Sequence, residues 1–390
     1  MDGWHPAARL ILLASAFALA AASLSWGMSQ ALVDSADLLR RVEEVRLFLE
    51  RVNPYQDPDL TYPPSALPIF ALLLGPIPSP LEPVVWLLVN LAALLALGFV
   101  LRTVWPDRLG LMASMLVVCW VAAARPTRAG LALGQFHLIP TALAVATIPL
   151  LASGRDRLAG VLLGLSLVKP TMTAPLWLVW IVRGQRTPAL AALIVQAGLF
   201  LLAAVWLSQT PWHLTADFFA NARSQSTAGS LDLPSLQARV GVPQNATLAA
   251  SFALLVLSLT VVRRCNHARS ATTTALALAC AAVVTYHRHY DLVLLMPAVV
   301  VLLSAGGSRS TLAMAAGSLQ VVPTHPAWIR PLAPLLDAAV AISAYLLWAA
   351  LLFQTAEEHS RAAHCPAPAS RNKAQPSHAQ QDDQALVLEC

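Results

Sequence analysis

Charged side chains are scarce in this sequence. Asp, Glu, Lys and Arg make up 12% of the 390 residues and apolar residues 57%, and the mean hydropathy is +0.63. Globular soluble domains carry about 25% charged residues, so a soluble enzyme is excluded. The charges lie mainly between apolar runs, and runs of about 20 residues match the roughly 30 Å core of a bilayer. The composition predicts an all-α, polytopic bundle of transmembrane helices.

Several other features are also missing. The five cysteines have no paired spacing, which argues against a disulfide framework or a zinc site. There is no Gly-rich phosphate loop, so a nucleotide substrate is not expected. No basic stretch is interleaved with stacking aromatics, so a nucleic-acid partner is not expected either. No cofactor is predicted, and a divalent metal is not expected.

The apolar runs predict about twelve spans. The first, Ala8–Gly27, is interpreted as an uncleaved helix and not as a signal peptide, because so many spans follow it. The later spans are predicted at Glu82–Leu101, Leu109–Ala124, His137–Leu151, Leu158–Val168, Thr171–Val182, Pro188–Leu207, Thr247–Val262, Ala271–Tyr286, Leu292–Ser304, Thr311–Val322 and Ala333–Phe353.

The arginines predict the orientation. Cytoplasmic loops retain Lys and Arg. If the loops that contain the arginine clusters are assigned to the cytoplasmic side, both termini also lie in the cytoplasm. This solution requires that Ser65–Pro78 enters the membrane without crossing it, which its prolines and its length favour. Residues 1–356 then form the transmembrane domain of a cell-membrane protein, with outer loops at 28–80 and 208–246, and residues 357–390 form a disordered cytoplasmic tail.

The first outer loop contains a predicted amphipathic helix at Leu38–Val52, whose apolar residues recur every three or four positions. Such a helix lies along the membrane surface. Near it are the carboxylates that could take a proton from an acceptor hydroxyl as a general base, namely Asp34, Asp37, Asp57 and Asp59. Asp37 directly precedes the helix, so capping the helix N-terminus is its alternative role.

Lysine is the rarest charged residue. The chain has 23 arginines but only two lysines, Lys169 and Lys373. Lys169 lies between two apolar runs, and a lysine at the centre of a span costs about 2.5 to 3.5 kcal/mol on insertion scales. This placement predicts a phosphate ligand, with snorkelling of the ammonium group to water as the alternative.

Two further polar clusters interrupt the apolar sequence on the same predicted face. The first is the run Thr285–Asp291, in which the candidates for binding a phosphate or sugar hydroxyls are His287, Arg288 and His289. Interfacial anchoring is the alternative, and a metal site is disfavoured because no further ligand pair is evident. The second cluster, with Gln135 and His137, opens a span, where free backbone N–H groups favour an anion or a sugar oxygen, with capping and packing as the alternative.

Several short motifs occur in a characteristic order. An Asp and an amphipathic stretch are followed by Asn53-Pro54-Tyr55, Thr61-Tyr62-Pro63-Pro64, Gly134-Gln135, Arg155 with Ala159-Gly160, and Lys169-Pro170. Over most of Ala31–Pro297, this order resembles the integral-membrane glycosyltransferases that use a polyprenyl-phosphate sugar. The most similar group is the actinobacterial mannosyltransferases that elongate phosphatidylinositol mannosides and related lipoglycans.

The resemblance implies a GT-C fold with an outer-face active site and two juxtamembrane helices in the first loop, here Leu38–Val52 and Ser65–Pro78. It implies a catalytic Asp about seventeen residues before the Pro-Tyr pair, which is Asp37, with Asp34 as the fallback. The family often has an aromatic residue shortly after this Asp, whereas Leu38-Leu39-Arg40-Arg41 follows here, so the acceptor is left open.

The implied reaction transfers mannose with inversion from a polyprenyl-phosphate sugar to a lipid-linked or cell-wall glycan acceptor, in contact with membrane lipids. The residues expected to bind the donor phosphate or other parts of the substrates are Lys169, His287, Arg288, His289, Gln135, His137, Tyr55 and Tyr62. The same fold could instead transfer arabinofuranose or glucose. A glycolipid transporter or flippase is a further alternative, but it would call for matched halves and charges near the membrane midplane.

Overall fold

The computed structural model describes residues 6–33, 35–104, 110–225, 240–285, 287–322 and 333–364. Within these ranges the chain is helical and has no strand, as predicted. Two 3₁₀ helices cover Pro54–Gln56 and His289–Leu295. The α-helices are α1 (Pro6–Val33), α2 (Ala36–Leu49), α3 (Ala66–Leu74), α4 (Glu82–Val104), α5 (Gly110–Ala123), α6 (Arg125–Leu133), α7 (Leu138–Ala152), α8 (Asp156–Ser166), α9 (Pro170–Val182), α10 (Arg186–Trp206), α11 (Pro211–Gln225), α12 (Gln244–Arg264), α13 (Ser270–Val284), α14 (Met296–Ala305), α15 (Gly307–Val321) and α16 (Ala333–His364).

Five of the described helices are long and apolar enough to cross a membrane. Their apolar stretches are Ala7–Val33, Glu82–Arg102, Arg186–Trp206, Gln244–Arg264 and Leu335–His364. Helices α5 and α6 meet at an angle of 51° and together would make a sixth span. Many large apolar side chains on the long helices are exposed, including Leu201 and Val205 on α10. Such a surface is suited to lipid, so the structure supports the prediction of a membrane protein.

The predicted number of about twelve spans is not confirmed. Three of the predicted spans, His137–Leu151, Thr171–Val182 and Ala271–Tyr286, fall on helices of 15, 13 and 15 residues. A 15-residue helix is only about 22 Å long, which is shorter than the roughly 30 Å apolar core. The last of these helices, α13, is buried over all its residues from Thr272 to Val284. A helix that is apolar on every side is suited to the interior of the bundle.

Several predicted boundaries also change. Helix α1 continues to Val33, six residues into the predicted outer loop. Helix α16 continues to His364, so its last turns occupy residues predicted to begin a disordered tail, whereas residues 365–390 lie outside the described part of the chain. Helices α2 and α3 lie where the two juxtamembrane helices were expected, although α2 begins at Ala36 and ends at Leu49. Their position relative to the membrane remains a prediction.

Helices α8 and α10 pack closely because two glycines lie between them. A Cβ atom on Gly160 would lie 2.4 Å from the carbonyl oxygen of Pro188, and one on Gly164 would lie 2.7 Å from Cβ of Val195. Glycines four residues apart allow two helix backbones to approach in a membrane, where dispersion contacts replace the hydrophobic effect. Gln196 on α10 adds a hydrogen bond from Nε2 to the carbonyl oxygen of Gly164 at 2.5 Å.

A second, smaller apolar core lies beside the main one. It joins α2 and α3 to the end of α10 and to α11, and its largest buried members are Leu38, Phe48, Leu60, Tyr62, Leu67, Phe70, Trp86, Phe136 and Leu214. Trp206 at the end of α10 donates from Nε1 to the carbonyl oxygen of Phe48 at 2.7 Å, which ties α2 to the long helix. The polar first loop is therefore anchored to the transmembrane bundle.

Replacing either packed glycine by alanine is expected to destabilise the protein. Gly160→Ala and Gly164→Ala should each lower stability by about 1–3 kcal/mol, because the added methyl group meets backbone or a neighbouring Cβ atom at less than contact distance. The measurement is the thermal midpoint of the detergent-solubilised protein by size-exclusion chromatography.

Gly198 on α10 provides the matched control. Nothing lies within 4 Å of a Cβ atom at this position, so Gly198→Ala should leave the midpoint unchanged or raise it through better helix propensity. Equal midpoints for all three variants would contradict the proposed close packing of α8 on α10.

Candidate active site

A cavity of about 520 Å³ lies where α2, the Asp59–Pro63 turn, the α6–α7 and α8–α9 junctions, α11 and the second 3₁₀ helix meet. Four cationic and three carboxylate side chains line it, together with several polar residues; these are Arg40, Arg41, Lys169, Arg288, Asp37, Asp59, Asp291, Thr61, Tyr62, Gln135, Thr171 and Tyr290. Its volume falls in the range of about 300–1,000 Å³ typical of small-molecule sites. The cavity can hold a sugar and a charged group.

Asp37 is placed at the cavity by the first turn of α2. The helix begins at Ala36 and Ser35 occupies the N-cap position, so Asp37 is not the cap that its sequence position allowed. A carboxylate in the first turn is favoured by the helix dipole. Oδ2 of Asp37 accepts a hydrogen bond from Nε2 of Gln135. Oδ1 has no hydrogen-bond partner among the described residues, so one oxygen remains able to take a proton.

Gln135 reaches Asp37 because of the turn that ends α6. Gly134 is left-handed, with φ of 71°, and a Cβ atom there would lie 2.5 Å from Cβ of Leu38. Only glycine combines this conformation with this close approach. Gln135 is 8% exposed, and its Oε1 lies 3.5 Å from the hydroxyl of Tyr62. The amide therefore contacts both Asp37 and Tyr62, which fixes the orientation of the carboxylate.

Lys169 forms a buried ion pair on the other side of the cavity. It is the N-cap residue of α9, and its Nζ lies 2.5 Å from Oδ1 of Asp291. Side-chain exposures are 13% for Lys169 and 3% for Asp291. The ammonium group also lies 5.1 Å from the centre of the Tyr290 ring. Lys169 therefore does not snorkel to water, because its charge is held against the second 3₁₀ helix.

His287 supports Asp291 from behind. Its Nδ1 lies 3.4 Å from Oδ2 of Asp291, and its Nε2 lies 3.0 Å from the carbonyl oxygen of Ala281. Burial favours the neutral acid, but the charge of Lys169 and the contact with His287 outweigh it and hold the pKa of Asp291 below its usual value. Asp291 is therefore ionised, and it fixes the position of the Lys169 ammonium group.

The structure brings together five of the predicted site residues in the cavity wall: Asp37, Tyr62, Gln135, Lys169 and Arg288. Four others lie outside the wall. His287 and His137 are 0% exposed, and the His137 ring lies 6.0 Å from the ring of Tyr290. The His289 ring lies 5.6 Å from the ring of Tyr290, and the Tyr55 hydroxyl donates to the carbonyl oxygen of Tyr62 at 2.7 Å. The fallback residue Asp34 lies outside the described residues.

Sequence reasoning missed part of the wall. Arg40 and Arg41 line the cavity, although the amphipathic pattern of Leu38–Val52 predicts that they belong to the polar face of a surface helix; Asp59, a candidate carboxylate in the sequence, lines the cavity too. Arg40 pairs with Asp59 at 3.0 Å. The missed signal is spacing, because Asp37 and Arg41 are four residues apart and such residues share one face of a helix. In the described part of the chain no group of three or more His, Cys, Asp or Glu side chains is arranged to hold a metal.

A comparison with known families covers most of this site. The sequence profile of glycosyltransferase family 87 matches residues 60–297, which is more than half of the chain. The chain belongs to glycosyltransferase family 87. Family 87 is a GT-C-type family of membrane glycosyltransferases, so the predicted enzyme class is confirmed, whereas sugar, donor and acceptor remain predictions.

The family 87 match contains Gln135, Lys169 and Asp291, but Asp37 precedes it. No sequence among the curated proteins compared with the chain matches it significantly. A catalytic role of Asp37 therefore remains a prediction, supported by its place in the cavity and by the order of motifs in the sequence.

Removing the carboxylate of Asp291 alone should strongly destabilise the protein. Asp291→Asn leaves the Lys169 ammonium group partly buried without its counter-ion, and loss of one partner of a buried pair typically costs about 3–5 kcal/mol. The double variant Lys169→Met, Asp291→Asn removes both charges and should be more stable than Asp291→Asn. Thermal midpoints in detergent measure both effects.

The exposed pair of Arg46 and Glu43 on α2 is the control. These side chains are 60% and 53% exposed, so Glu43→Gln should change the midpoint little. A double variant less stable than Asp291→Asn would show that the ion pair does not control the stability of this wall.

Proposed function

We propose that the protein transfers mannose, with inversion, from a polyprenyl-phosphate donor to a lipid-linked or cell-wall glycan acceptor. The supporting observation is that the Asp37 carboxylate faces the same cavity as the cations Lys169 and Arg288. Displacement at a sugar phosphate needs a base for the attacking hydroxyl and positive charge for the departing phosphate. The cavity offers both groups on different walls.

The proposed reaction is one displacement at the anomeric carbon. The acceptor hydroxyl oxygen attacks this carbon from the side opposite the phosphate, and the proton of the hydroxyl passes to Asp37. The bond between the anomeric carbon and the phosphate oxygen breaks, and its electron pair leaves with the polyprenyl phosphate. Gln135 holds one carboxylate oxygen of Asp37, which leaves the other to receive the proton.

Lys169 and Arg288 stabilise the charge that develops on the leaving phosphate. Charge stabilisation is strongest when the cations are already in place and water is sparse. Lys169 meets the first condition through its pair with Asp291. His287 lies outside the cavity wall and would not contact the phosphate. It contacts Asp291, which in turn holds Lys169. Tyr62 can contact the sugar, because it lines the cavity. Burial raises the pKa of its hydroxyl group, so this group stays protonated and can donate a hydrogen bond.

The proposed setting is the outer face of the cell membrane, with both termini in the cytoplasm. This orientation follows from the arginine distribution. A membrane location is supported by the five long apolar helices. The polyprenyl chain would lie along the apolar helix surfaces outside the cavity, since about 520 Å³ accommodates the sugar and phosphate but not a long lipid tail.

Asp37→Asn is expected to lower kcat by about 10²- to 10⁴-fold, which is the usual contribution of a general base. Donor binding should be retained, because Lys169 and Arg288 are unchanged. The measurement is transfer from radiolabelled polyprenyl-phosphate mannose into a membrane lipid extract by the purified protein. Matching arabinofuranose and glucose donors test the sugar.

Asp59→Asn is the matched control, since Asp59 lines the same cavity but is paired with Arg40. Its kcat should fall much less than that of Asp37→Asn. Full activity in Asp37→Asn together with loss in Asp34→Asn would move the base to Asp34. Activity that survives both substitutions would contradict the hypothesis that the first loop supplies the catalytic base. Movement of intact donor across vesicles without transfer would favour a flippase.

A further inference from the structure

Arg41 and Glu44 form a second buried ion pair beside the cavity. Nη1 of Arg41 donates to Oε2 of Glu44, and the side chains are 8% and 2% exposed. On the same helix, Arg46 and Glu43 form a pair at the same spacing that is more than half exposed. Burying an ion pair requires removing two charges from water, and apolar residues of similar size often give equal or greater stability. The buried pair therefore calls for an explanation other than stability.

The arginine of this pair faces the cavity. Arg41 is one of the lining residues, and its guanidinium carbon lies 4.8 Å from the centre of the Tyr62 ring. Glu44 is its hydrogen-bond acceptor, and no other acceptor for Arg41 occurs among the described residues. A guanidinium group has five N–H donors in a planar fork. Glu44 therefore uses only part of the hydrogen-bonding capacity of this nearly buried side chain, which lines the cavity.

Arg41 and Lys169 contact the same aromatic ring. Nζ of Lys169 lies 6.0 Å from the centre of Tyr62, so the two charges are at most about 11 Å apart. At this distance and an effective dielectric constant of 20, two like charges repel by about 1.5 kcal/mol. Each cation has a buried carboxylate behind it, Glu44 for Arg41 and Asp291 for Lys169. An anion in the cavity would be attracted to both walls.

We propose that Arg41 is a further ligand of the donor phosphate, in addition to Lys169 and Arg288, and that Glu44 is the positioning residue that holds the Arg41 guanidinium toward the cavity. The inference deepens the proposed function and rests on it. Lys169 would supply a point charge, and Arg41 would supply directed N–H groups to the phosphate oxygens. An anionic group on the acceptor has the same chemistry, so the test separates the Michaelis constants (KM) of donor and acceptor.

The ionisation of Glu44 makes this arrangement sensitive to pH. Burial raises the pKa of Glu44 to about 7 against the charge of Arg41. The other ionisable groups that interact with it are Arg40 and Asp37 on α2, Asp57 after the first 3₁₀ helix, and Tyr55. Of the other helices packed on α2, α3 has no ionisable side chain and α6 has Arg125 and Arg128. Below pH 7 the protonated Glu44 pairs weakly with Arg41, and above pH 7 the carboxylate holds it. The donor KM of the wild type should therefore fall as the pH rises through about 7.

The test compares Glu44→Gln, Arg41→Met and the double variant. Each single substitution should raise the donor KM by about tenfold, since this is the scale of one charge-assisted hydrogen bond. The kcat should change little, because the hydrogen bond is present both before and during transfer. The double variant should be no worse than Arg41→Met, because Glu44 acts through Arg41. Glu44→Gln should also lose the fall in donor KM across pH 7. Arg41→Lys should recover part of the affinity, and Glu43→Gln should behave as the wild type.

Three results would overturn the inference. The first is an unchanged donor KM in Glu44→Gln or Arg41→Met, and the second is a change confined to the acceptor KM. The third is additive losses in the double variant, which would mean that Glu44 acts independently of Arg41. Binding of a polyprenyl monophosphate to the protein in lipid nanodiscs separates this failure from that of the proposed function. If the wild type binds this probe and Arg41→Met binds it equally well, only the role of Arg41 fails; if the wild type does not bind it, the donor assignment fails.

Discussion

The ion pair between Lys169 and Asp291 is the interaction on which the arrangement of the site depends. It joins the start of α9 to the second 3₁₀ helix, although the two residues are 122 positions apart in the chain. A buried ammonium group without a counter-ion is strongly unfavourable, so the charge of Lys169 favours the arrangement in which these two segments meet. His287 fills the space behind Asp291 and contacts its second oxygen. The cation that faces the cavity is therefore in place before any substrate binds, which is the condition for effective stabilisation of a leaving group.

The opposite wall is held by apolar packing and by one amide. Helix α2 lies on the smaller core with its buried residues toward α3, and this packing turns Asp37 and Arg41 toward the cavity. Gln135, placed by the left-handed Gly134, then connects Asp37 to Tyr62. The two walls have different physical origins. One depends on an ion pair between distant segments, and the other on an amphipathic helix that contains its own ion pair, Arg41–Glu44. Their separation by a cavity of about 520 Å³ leaves space for a sugar between a base and a phosphate-binding cation.

Much of the wall could be predicted from residue type alone. A lone lysine between apolar runs and an aspartate before an amphipathic helix are unusual enough to stand out, and both line the cavity. Side-chain direction could not be predicted in the same way. His137 and His287 lie in or beside irregular segments, where no helical or strand period indicates which side chains face inward; both are fully buried. The predicted number of spans is not confirmed for a related reason, since hydropathy does not distinguish a short helix inside the bundle, such as α13, from one that faces lipid.

The most direct measurement is a structure of the protein in lipid nanodiscs with a non-hydrolysable phosphonate analogue of polyprenyl-phosphate mannose. We expect the phosphonate oxygens within hydrogen-bonding distance of Nζ of Lys169, and the anomeric carbon between them and the free oxygen of Asp37. An analogue bound elsewhere, or bound in the cavity with its sugar directed away from Asp37, would contradict the proposed division of the site into a base and a phosphate-binding wall.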